Sequence, residues 1–301
     1  MEGLLVVFSG LLPAALRSAT PLLWTLLGET LTQRAGIINL GVEGQMLVGA
    51  ATAFGLTAQS GNPWFGLAGG ALAGALLSVV HAVLCLRYRA NQFASGLTVW
   101  MLGFGTSSYL GASLVGQSIT GFEPFSTGVL GKIPGLGGLT PTVLLSFVAV
   151  GACAVVLFRT RVGLNLRAAG ESAAAAHVAG LNVTALQSGS IVAGGLLSGI
   201  GGAALAIDYA QTWAEGMTRG RGLVAVGLVI VARWNPLLAF PVALLFGALE
   251  ALSLRIQSAG ATTSAHLLHT LPYLASLGVF VLTCVTRQRH SAPAGLRAVL
   301  E

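Results

Sequence analysis

The polar residues that ordinary membrane packing explains least lie in one stretch, Gly28 to Ala50, with the sequence GETLTQRAGIINLGVEGQMLVGA. The stretch is apolar enough to enter a bilayer, yet it contains acids, amides and a base, namely Glu29, Arg34, Asn39, Glu43 and Gln45. Such side chains are costly at membrane depth, and they usually pair with each other or line polar cavities. Carboxylates and amides can also hydrogen-bond the hydroxyl and amide groups of a solute. The stretch is therefore our first candidate for chemistry.

The spacing of the polar residues indicates which of them lie close together on a helix. On a helix, Asn39 and Glu43 are four residues apart and share a face, and Gly36 and Met46 lie close to that face. Three interpretations stay open: hydrogen bonds between helices, the wall of a translocation path, or a gate or folding role in which Arg34 pairs with Glu29.

The overall composition indicates what must position these residues. The chain has 301 residues, of which 54% are hydrophobic and 8% are charged, whereas a soluble domain is about 25% charged. This composition predicts a membrane protein that crosses the bilayer many times. The net charge is +6. The basic residues that produce it lie in short loops between apolar runs, as the positive-inside rule expects, so we predict no nucleic-acid partner.

The apolar runs predict an all-α, polytopic bundle of about eight to ten transmembrane spans, since one span needs about 20 apolar residues. The run from Leu223 to Ala232 is too short to cross alone. We expect it to be half of a broken or re-entrant helix that ends at Trp234-Asn235-Pro236, because proline disfavours helix at the residue before it. We expect residues 1–301 to form a single transmembrane domain.

One polar loop, about residues 159–187, is long enough to hold a helix of its own. Its alanine-rich middle predicts a cytoplasmic helix of about eight residues, with Glu171 near its N-terminus and Gly180 as its stop. A helix lying on the membrane surface is one interpretation. The alanine face, without Leu, Phe or Trp, favours docking into a groove on a partner protein.

The sequence predicts no enzyme, no cofactor and no metal site. Its three cysteines are far apart, and His266 and His269 have no third ligand nearby in sequence. There is no GxxxxGK[ST] phosphate loop and no cluster that looks catalytic. A stand-alone secondary transporter remains the alternative, with Glu43 or Asp208 as its proton or cation site.

Five segments in register resemble the inner-membrane permease subunits of bacterial ABC importers. The likeness is to the branched-chain amino acid, ribose and simple-sugar branch, and within it to the nucleoside-type permeases. The segments are the Gly28–Ala50 stretch, NQFASGL at Asn91–Leu97, RVGLNLRAAGESAAAAHVAGLNV at Arg161–Val183, GGLLSGIGGAALA at Gly194–Ala206 and GRGLVAVGLVIVARWNP at Gly220–Pro236.

The resemblance implies a transport subunit of the bacterial cytoplasmic (inner) membrane with no ATPase activity of its own. The implied partners are a cytoplasmic ABC ATPase, a second permease subunit (paralogous or identical), an extracytoplasmic solute-binding protein and membrane lipid. The solute that it favours is a nucleoside, with a simple sugar or a branched-chain amino acid as the alternatives.

The resemblance also implies two groups of site residues. The predicted substrate path contains Asn39, Glu43, Gln45, Met46 and Trp100. The helix from Gly170 to Asn182 resembles the coupling helix that docks on the ATPase, and the residues predicted to face the ATPase are Arg167, Glu171, His177 and Asn182. For Trp100, stacking on a nucleobase or sugar face competes with core packing.

Overall fold

The computed structural model describes residues 10–125, 138–258, 265–285 and 292–296. The regular elements in these ranges are helices, apart from one isolated bridge. The eight long helices described have 19 to 24 residues: α1 Leu11–Arg34, α2 Val42–Ser60, α3 Pro63–Ala82, α4 Gln92–Gly111, α5 Pro141–Arg159, α8 Val183–Ala203, α10 Pro236–Ser258 and α11 Ala265–Val285. The shorter α-helices described are α6 Arg161–Glu171, α7 Ala173–Val178 and α9 Arg221–Val231. The predicted all-α helix bundle is confirmed.

Length and apolar composition together mark four segments as able to cross a membrane: Pro63–Arg87, Pro141–Arg159, Val183–Ala210 and Pro236–Ser258. Two of these extend α3 and α8 by π-helical turns, Val83–Arg87 and Ala204–Ala210. Helix α1, which is outside this set, carries more polar residues. Most of α1 is buried inside the protein, so its polar side chains contact other helices and not lipid.

Glycines let the central helices approach until their backbones touch. A Cβ on Gly49 of α2 would lie 2.6 Å from the carbonyl oxygen of Gly199 on α8, and a Cβ on Gly74 of α3 would lie 2.4 Å from that of Gly195. Small residues allow this in lipid, where hydrophobicity does not drive helices together. Gly195 and Gly199 are four residues apart in the sequence, a GxxxG spacing that is typical of close helix packing in membranes, and both are used for this packing.

The candidate stretch is broken between α1 and α2. The chain leaves the helix after Arg34, turns at Gly36 with φ of +82°, and becomes helical again at Val42. Asn39 lies in this non-helical segment, and its Oδ1 accepts the Gly41 N–H at 3.0 Å. The prediction that Asn39 and Glu43 share one helical face is therefore wrong, because the Gly36 turn and the Asn39 side chain interrupt the helix.

A second break separates α9 from α10, as the short apolar run predicted. Helix α9 has 11 residues, about 17 Å at 1.5 Å per residue, too short to cross a bilayer. The chain turns through Arg233 and Trp234, whose φ angles are +54° and +51°. Pro236 then begins α10, a position in which proline's missing N–H costs no helical hydrogen bond.

The long polar loop contains two helices where one was predicted. Glu171 ends α6, whereas the sequence placed it near the N-terminus of the loop helix. Ser172 is extended and caps α7, its Oγ accepting the Ala175 N–H at 3.2 Å. The serine interrupts the helix because its hydroxyl replaces a helical hydrogen bond at this position. Gly180, with φ of +82°, follows α7 as predicted.

Both breaks and the loop meet at one end of the bundle. The Arg34 Nε donates to the Trp234 carbonyl at 2.8 Å. The guanidinium carbons of Arg34 and Arg167 lie 5.9 and 5.5 Å from the centre of the Phe158 ring. We call this the basic end. By the positive-inside rule it faces the cytoplasm.

Candidate functional site

Glu43 ties the start of α2 to the start of the short helix α9. The residue is 4% exposed, and its carboxylate accepts three hydrogen bonds: from Thr218 Oγ1 at 2.6 Å, Gly220 N at 2.7 Å and Gly222 N at 2.6 Å. The first N–H groups of a helix have no partner within the helix, and the helix dipole favours an anion there. Glu43 supplies both the acceptor and the charge, so it acts as the cap of α9.

The close approach at this point depends on a glycine. A Cβ on Gly222 would lie 2.7 Å from the Glu43 Cα, closer than two such atoms normally come. Only a residue without a side chain fits here, and Gly222, the second residue of α9, meets this requirement. The contact therefore depends on Glu43 in α2 and on Gly222 in α9.

Asn39 and Gln45 form a second buried polar pair. Both side chains are 0% exposed, and the Asn39 Nδ2 donates to the Gln45 Oε1 at 3.3 Å. The Gln45 Nε2 has no hydrogen-bond partner in the described part of the protein. A buried donor without a partner costs about 1–3 kcal/mol, so Gln45 is the predicted path residue with spare hydrogen-bonding capacity.

The other two predicted path residues lie in different surroundings. Met46 is fully buried, and its carbonyl oxygen is so close to α8 that a Cβ on Gly202 would lie 1.9 Å from it. Trp100 is half-buried on α4, and its backbone packs on Gly44. The structure thus brings Asn39 and Gln45 together, turns Glu43 toward α9, and leaves Trp100 at the edge of the bundle.

Glu29 belongs to a buried network that the sequence did not reveal. Trp234 Nε1 donates to Gln33 Oε1 at 2.9 Å, and Gln33 Nε2 donates to Glu29 Oε2 at 3.1 Å. Glu29 is 1% exposed and is hydrogen-bonded to Gln33, while Arg34 binds the Trp234 carbonyl. The suggested Glu29–Arg34 pair is therefore wrong. Glu29 and Gln33 are four apart on one face, which is the signal that could have predicted their bond.

A polar cleft opens at the end of the bundle opposite the basic end. Ser18 shows its position along the bundle: its Oγ donates to Glu250 Oε2 at 2.6 Å, and Glu250 lines the cleft. Ser18 precedes Arg34, at the basic end, by 16 residues on α1, which is about 24 Å. The cleft has a volume of about 250 Å³, and its lining includes Tyr209, Arg219, Arg221 and Glu250. Arg221 forms an ion pair with Glu250, and its guanidinium lies 5.6 Å from the Tyr209 ring centre. None of these four residues is among the site residues predicted from the sequence.

Asp208 lies near this cleft in a different set of contacts. Its Oδ2 accepts hydrogen bonds from the hydroxyls of Thr140, at 2.5 Å, and Thr142. Its Oδ1 is 3.5 Å from Arg17. These partners satisfy the carboxylate within the protein, which removes the reason to treat Asp208 as a cation site.

The predicted coupling residues lie at the basic end, as a docking role requires. Glu171, His177 and Asn182 are exposed, and Arg167 is half-buried against Phe158. Asn182 also caps α8, its Oδ1 accepting the Ala185 N–H at 3.0 Å. Apart from His177, the exposed residues of α7 are small or apolar, and Val178 is 88% exposed.

The Arg221–Glu250 pair gives a first prediction. The side chains are only 7% and 16% exposed, so Glu250→Ala leaves a buried, unpaired guanidinium and is expected to cost about 3–5 kcal/mol of stability. The double variant Arg221→Met/Glu250→Leu removes both charges and is expected to recover most of that loss. Thermal unfolding of the purified protein in detergent measures both, and equal losses in the single and double variants would contradict a buried pair.

Comparison with known proteins adds an independent result. Residues 11–282 match the family described as branched-chain amino acid transport system / permease component. The chain is 40% identical over 258 residues to the putative glucose ABC transporter permease protein TsgC13 of Haloferax volcanii, covering 83% of this chain and 78% of that protein. It is 32% identical over 267 residues to the guanosine ABC transporter permease protein NupQ of Bacillus subtilis, covering 82% and 83%. It is 33% identical over 250 residues to the nucleoside ABC transporter permease protein NupC of Lactococcus lactis, covering 78% and 79%. No solved structure matches the chain.

Proposed function

The chain belongs to the branched-chain amino acid transport system / permease component family, and from this premise we propose that it carries a nucleoside into the cell as the permease subunit of an ABC importer. The observation that carries the proposal is the family match over residues 11–282. Its relatives are multi-pass membrane proteins that transport solutes and are not enzymes themselves. The same match supports our proposal that residues 1–301 act as one permease domain.

Two relatives support a nucleoside as the solute. The NupQ and NupC proteins, named for guanosine and nucleoside transport, align with this chain over 82% and 78% of its length. A simple sugar is the second candidate, because the 40% identical TsgC13 protein is named for glucose. A nucleoside carries a sugar ring, so both solutes present hydroxyl groups to the path.

We propose that the solute path forms beside the break between α1 and α2. Asn39 and Gln45 pair there, Glu43 and Met46 lie on the first turns of α2, and the unpaired Gln45 amide offers a donor to a passing hydroxyl or base. Trp100, half-buried on the neighbouring helix α4, offers an aromatic ring on which a solute ring could stack. Asn39, Glu43, Gln45 and Met46 are buried, so transport requires α2 and α9 to separate.

Energy for this separation comes from outside the chain in our proposal. ABC permeases work with ATPase and solute-binding-protein partners, and α7 with its flanks is the surface that would meet the ATPase. Glu171, His177 and Asn182 are exposed there, and Arg167 stacks behind them on Phe158. A second permease subunit, identical or paralogous, would complete the channel, and a binding protein would deliver solute at the opposite end.

Reconstitution tests the proposal directly. The permease is coexpressed with its ATPase, companion permease and binding protein, placed in liposomes, and supplied with ATP inside and radiolabelled guanosine, uridine, glucose or leucine outside. We expect uptake of the nucleosides that requires both ATP and the binding protein.

The result patterns separate the alternatives. Glucose uptake in place of nucleoside uptake would select the second candidate. Uptake by the permease alone, driven by a proton gradient, would overturn the ABC importer. The coupling surface has its own arm in the same assay: the Glu171→Ala/His177→Ala variant should fail to retain the ATPase during purification, whereas Glu123→Ala, an exposed acid away from this surface, should retain it.

A further inference from the structure

The segment 292–296 is folded back onto the basic end of the bundle. Leu296 is 3% exposed and belongs to the same hydrophobic core as Trp234 and Cys153. Ala292 packs against that core as well. We call residues 292–296 the tail segment. Its burial shows that it is part of the packed structure and not a free extension.

The tail segment also contacts the predicted coupling region. The Ala294 N–H donates to Glu171 Oε2 at 3.1 Å. A Cβ on Gly295 would lie 2.6 Å from the Gly170 carbonyl oxygen, so the two backbones touch where α6 ends. Glu171 is thus engaged by this chain itself before any partner arrives.

The contact reaches the candidate stretch through Gly170. A Cβ on Gly170 would lie 2.1 Å from the Arg34 carbonyl oxygen and 3.1 Å from the Gly36 nitrogen. Gly170 is therefore sandwiched between the break after α1 and the tail segment. A displacement of α6 and α7 in either direction must move one of these neighbours, because backbone atoms in contact cannot be compressed.

We propose that the tail segment is a positioning element for ATPase coupling: it clamps Gly170 and Glu171 against the break after α1, so that movement of α7 is transmitted to α2. Without the clamp, α6 and α7 shift on the ATPase while α2 stays in place. The inference rests on the proposed function, since it needs an ATPase that acts on α7. It adds a residue set, 292–296, that the coupling surface described above does not include.

The test compares two glycine substitutions in the reconstituted complex. Gly295→Ala forces the tail segment away from the Gly170 carbonyl. Gly189→Ala on α8 is the matched control, because a Cβ there has nothing within 4 Å. The measurements are copurification of the ATPase, basal ATP hydrolysis, and hydrolysis stimulated by solute-loaded binding protein.

We expect Gly295→Ala to keep the ATPase and its basal rate but to lower the ratio of stimulated to basal hydrolysis by about threefold or more. Gly189→Ala should match the wild type. If the clamp acts through Glu171, a conservative substitution should preserve it. Glu171→Gln, whose amide oxygen can still accept the Ala294 N–H, should therefore keep a higher ratio of stimulated to basal hydrolysis than Glu171→Ala. The Glu171→Ala/Gly295→Ala double variant should be no worse than the poorer single variant.

The outcomes distinguish the two proposals. If the wild-type complex shows no stimulated hydrolysis and no uptake, the proposed function fails. If the wild type is stimulated and Gly295→Ala is stimulated equally, the clamp is wrong while the function stands. If Gly295→Ala does not accumulate, Leu296→Ala is used with the same ratio as readout, and an unchanged ratio there also overturns the clamp.

Discussion

Glu43→Ala is expected to abolish solute uptake. The substitution removes three hydrogen bonds that a buried carboxylate accepts from Thr218, Gly220 and Gly222. Hydrogen bonds to a charged group contribute about 1.5–3 kcal/mol each and are not additive, so we expect a total loss of about 3–5 kcal/mol. That loss shifts the equilibrium between docked and undocked α9 by more than about 100-fold.

The uptake assay and thermal unfolding together check this expectation. Glu43→Gln keeps one acceptor oxygen but turns an amide N–H₂ toward backbone donors, so it should fall between the wild type and Glu43→Ala in both measurements. Glu123→Gln, at an exposed acid, is the matched control and should behave as the wild type. Normal uptake and normal stability in Glu43→Ala would contradict both the cap of α9 and a place for Glu43 in the path.

Gly202→Ala is expected to prevent the protein from accumulating in folded form. The new methyl group would lie 1.9 Å from the Met46 carbonyl oxygen and 3.0 Å from the Ala50 nitrogen. Both are backbone atoms of α2, so no side chain can rotate to make room and the two helices must move apart. Overpacking costs about 1–3 kcal/mol when side chains adjust, and we expect more here because every close contact along α2 and α8 opens with it.

Expression level and size-exclusion profile in detergent measure the effect. Gly189→Ala lies on the same helix in open space, gains the same helix propensity, and should give a wild-type profile. A monodisperse, fully expressed Gly202→Ala protein would show that α2 and α8 are not packed as closely as described.

Features that depend on local sequence could be predicted well. The short α9 and its end at Trp234-Asn235-Pro236 follow from apolar length and proline chemistry, both of which act over a few residues. The use of Gly195 and Gly199 for close packing follows from spacing alone. In each case, the structural feature is determined by residues that are close together in the sequence.

The candidate site was harder to predict because its contacts are distant in sequence. Glu43 was selected as unusual, but its partners are 175 to 179 residues away, and no periodicity links them. Asn39 was predicted to be helical, but it lies in a non-helical segment. Helix propensity does not reveal a turn that is produced by a single glycine with positive φ, Gly36. Ser172 split the loop helix for a similar reason, since one hydroxyl outweighs the preference of the alanines around it.

The buried position of α1 has a consequence for how the protein enters the bilayer. Arg17 and Glu29 lie within α1 and Arg34 ends it, and ionisable residues in a span make its insertion into the bilayer less favourable. The helices that shield α1, chiefly α8 and α10, begin about 150 and 200 residues after α1 ends. Stable integration of α1 therefore depends on segments that have not yet left the ribosome. We expect α1 to remain beside the translocon or a membrane chaperone until α8 arrives. The first helix of the chain would then reach its final position in the bilayer only after the later helices have been inserted.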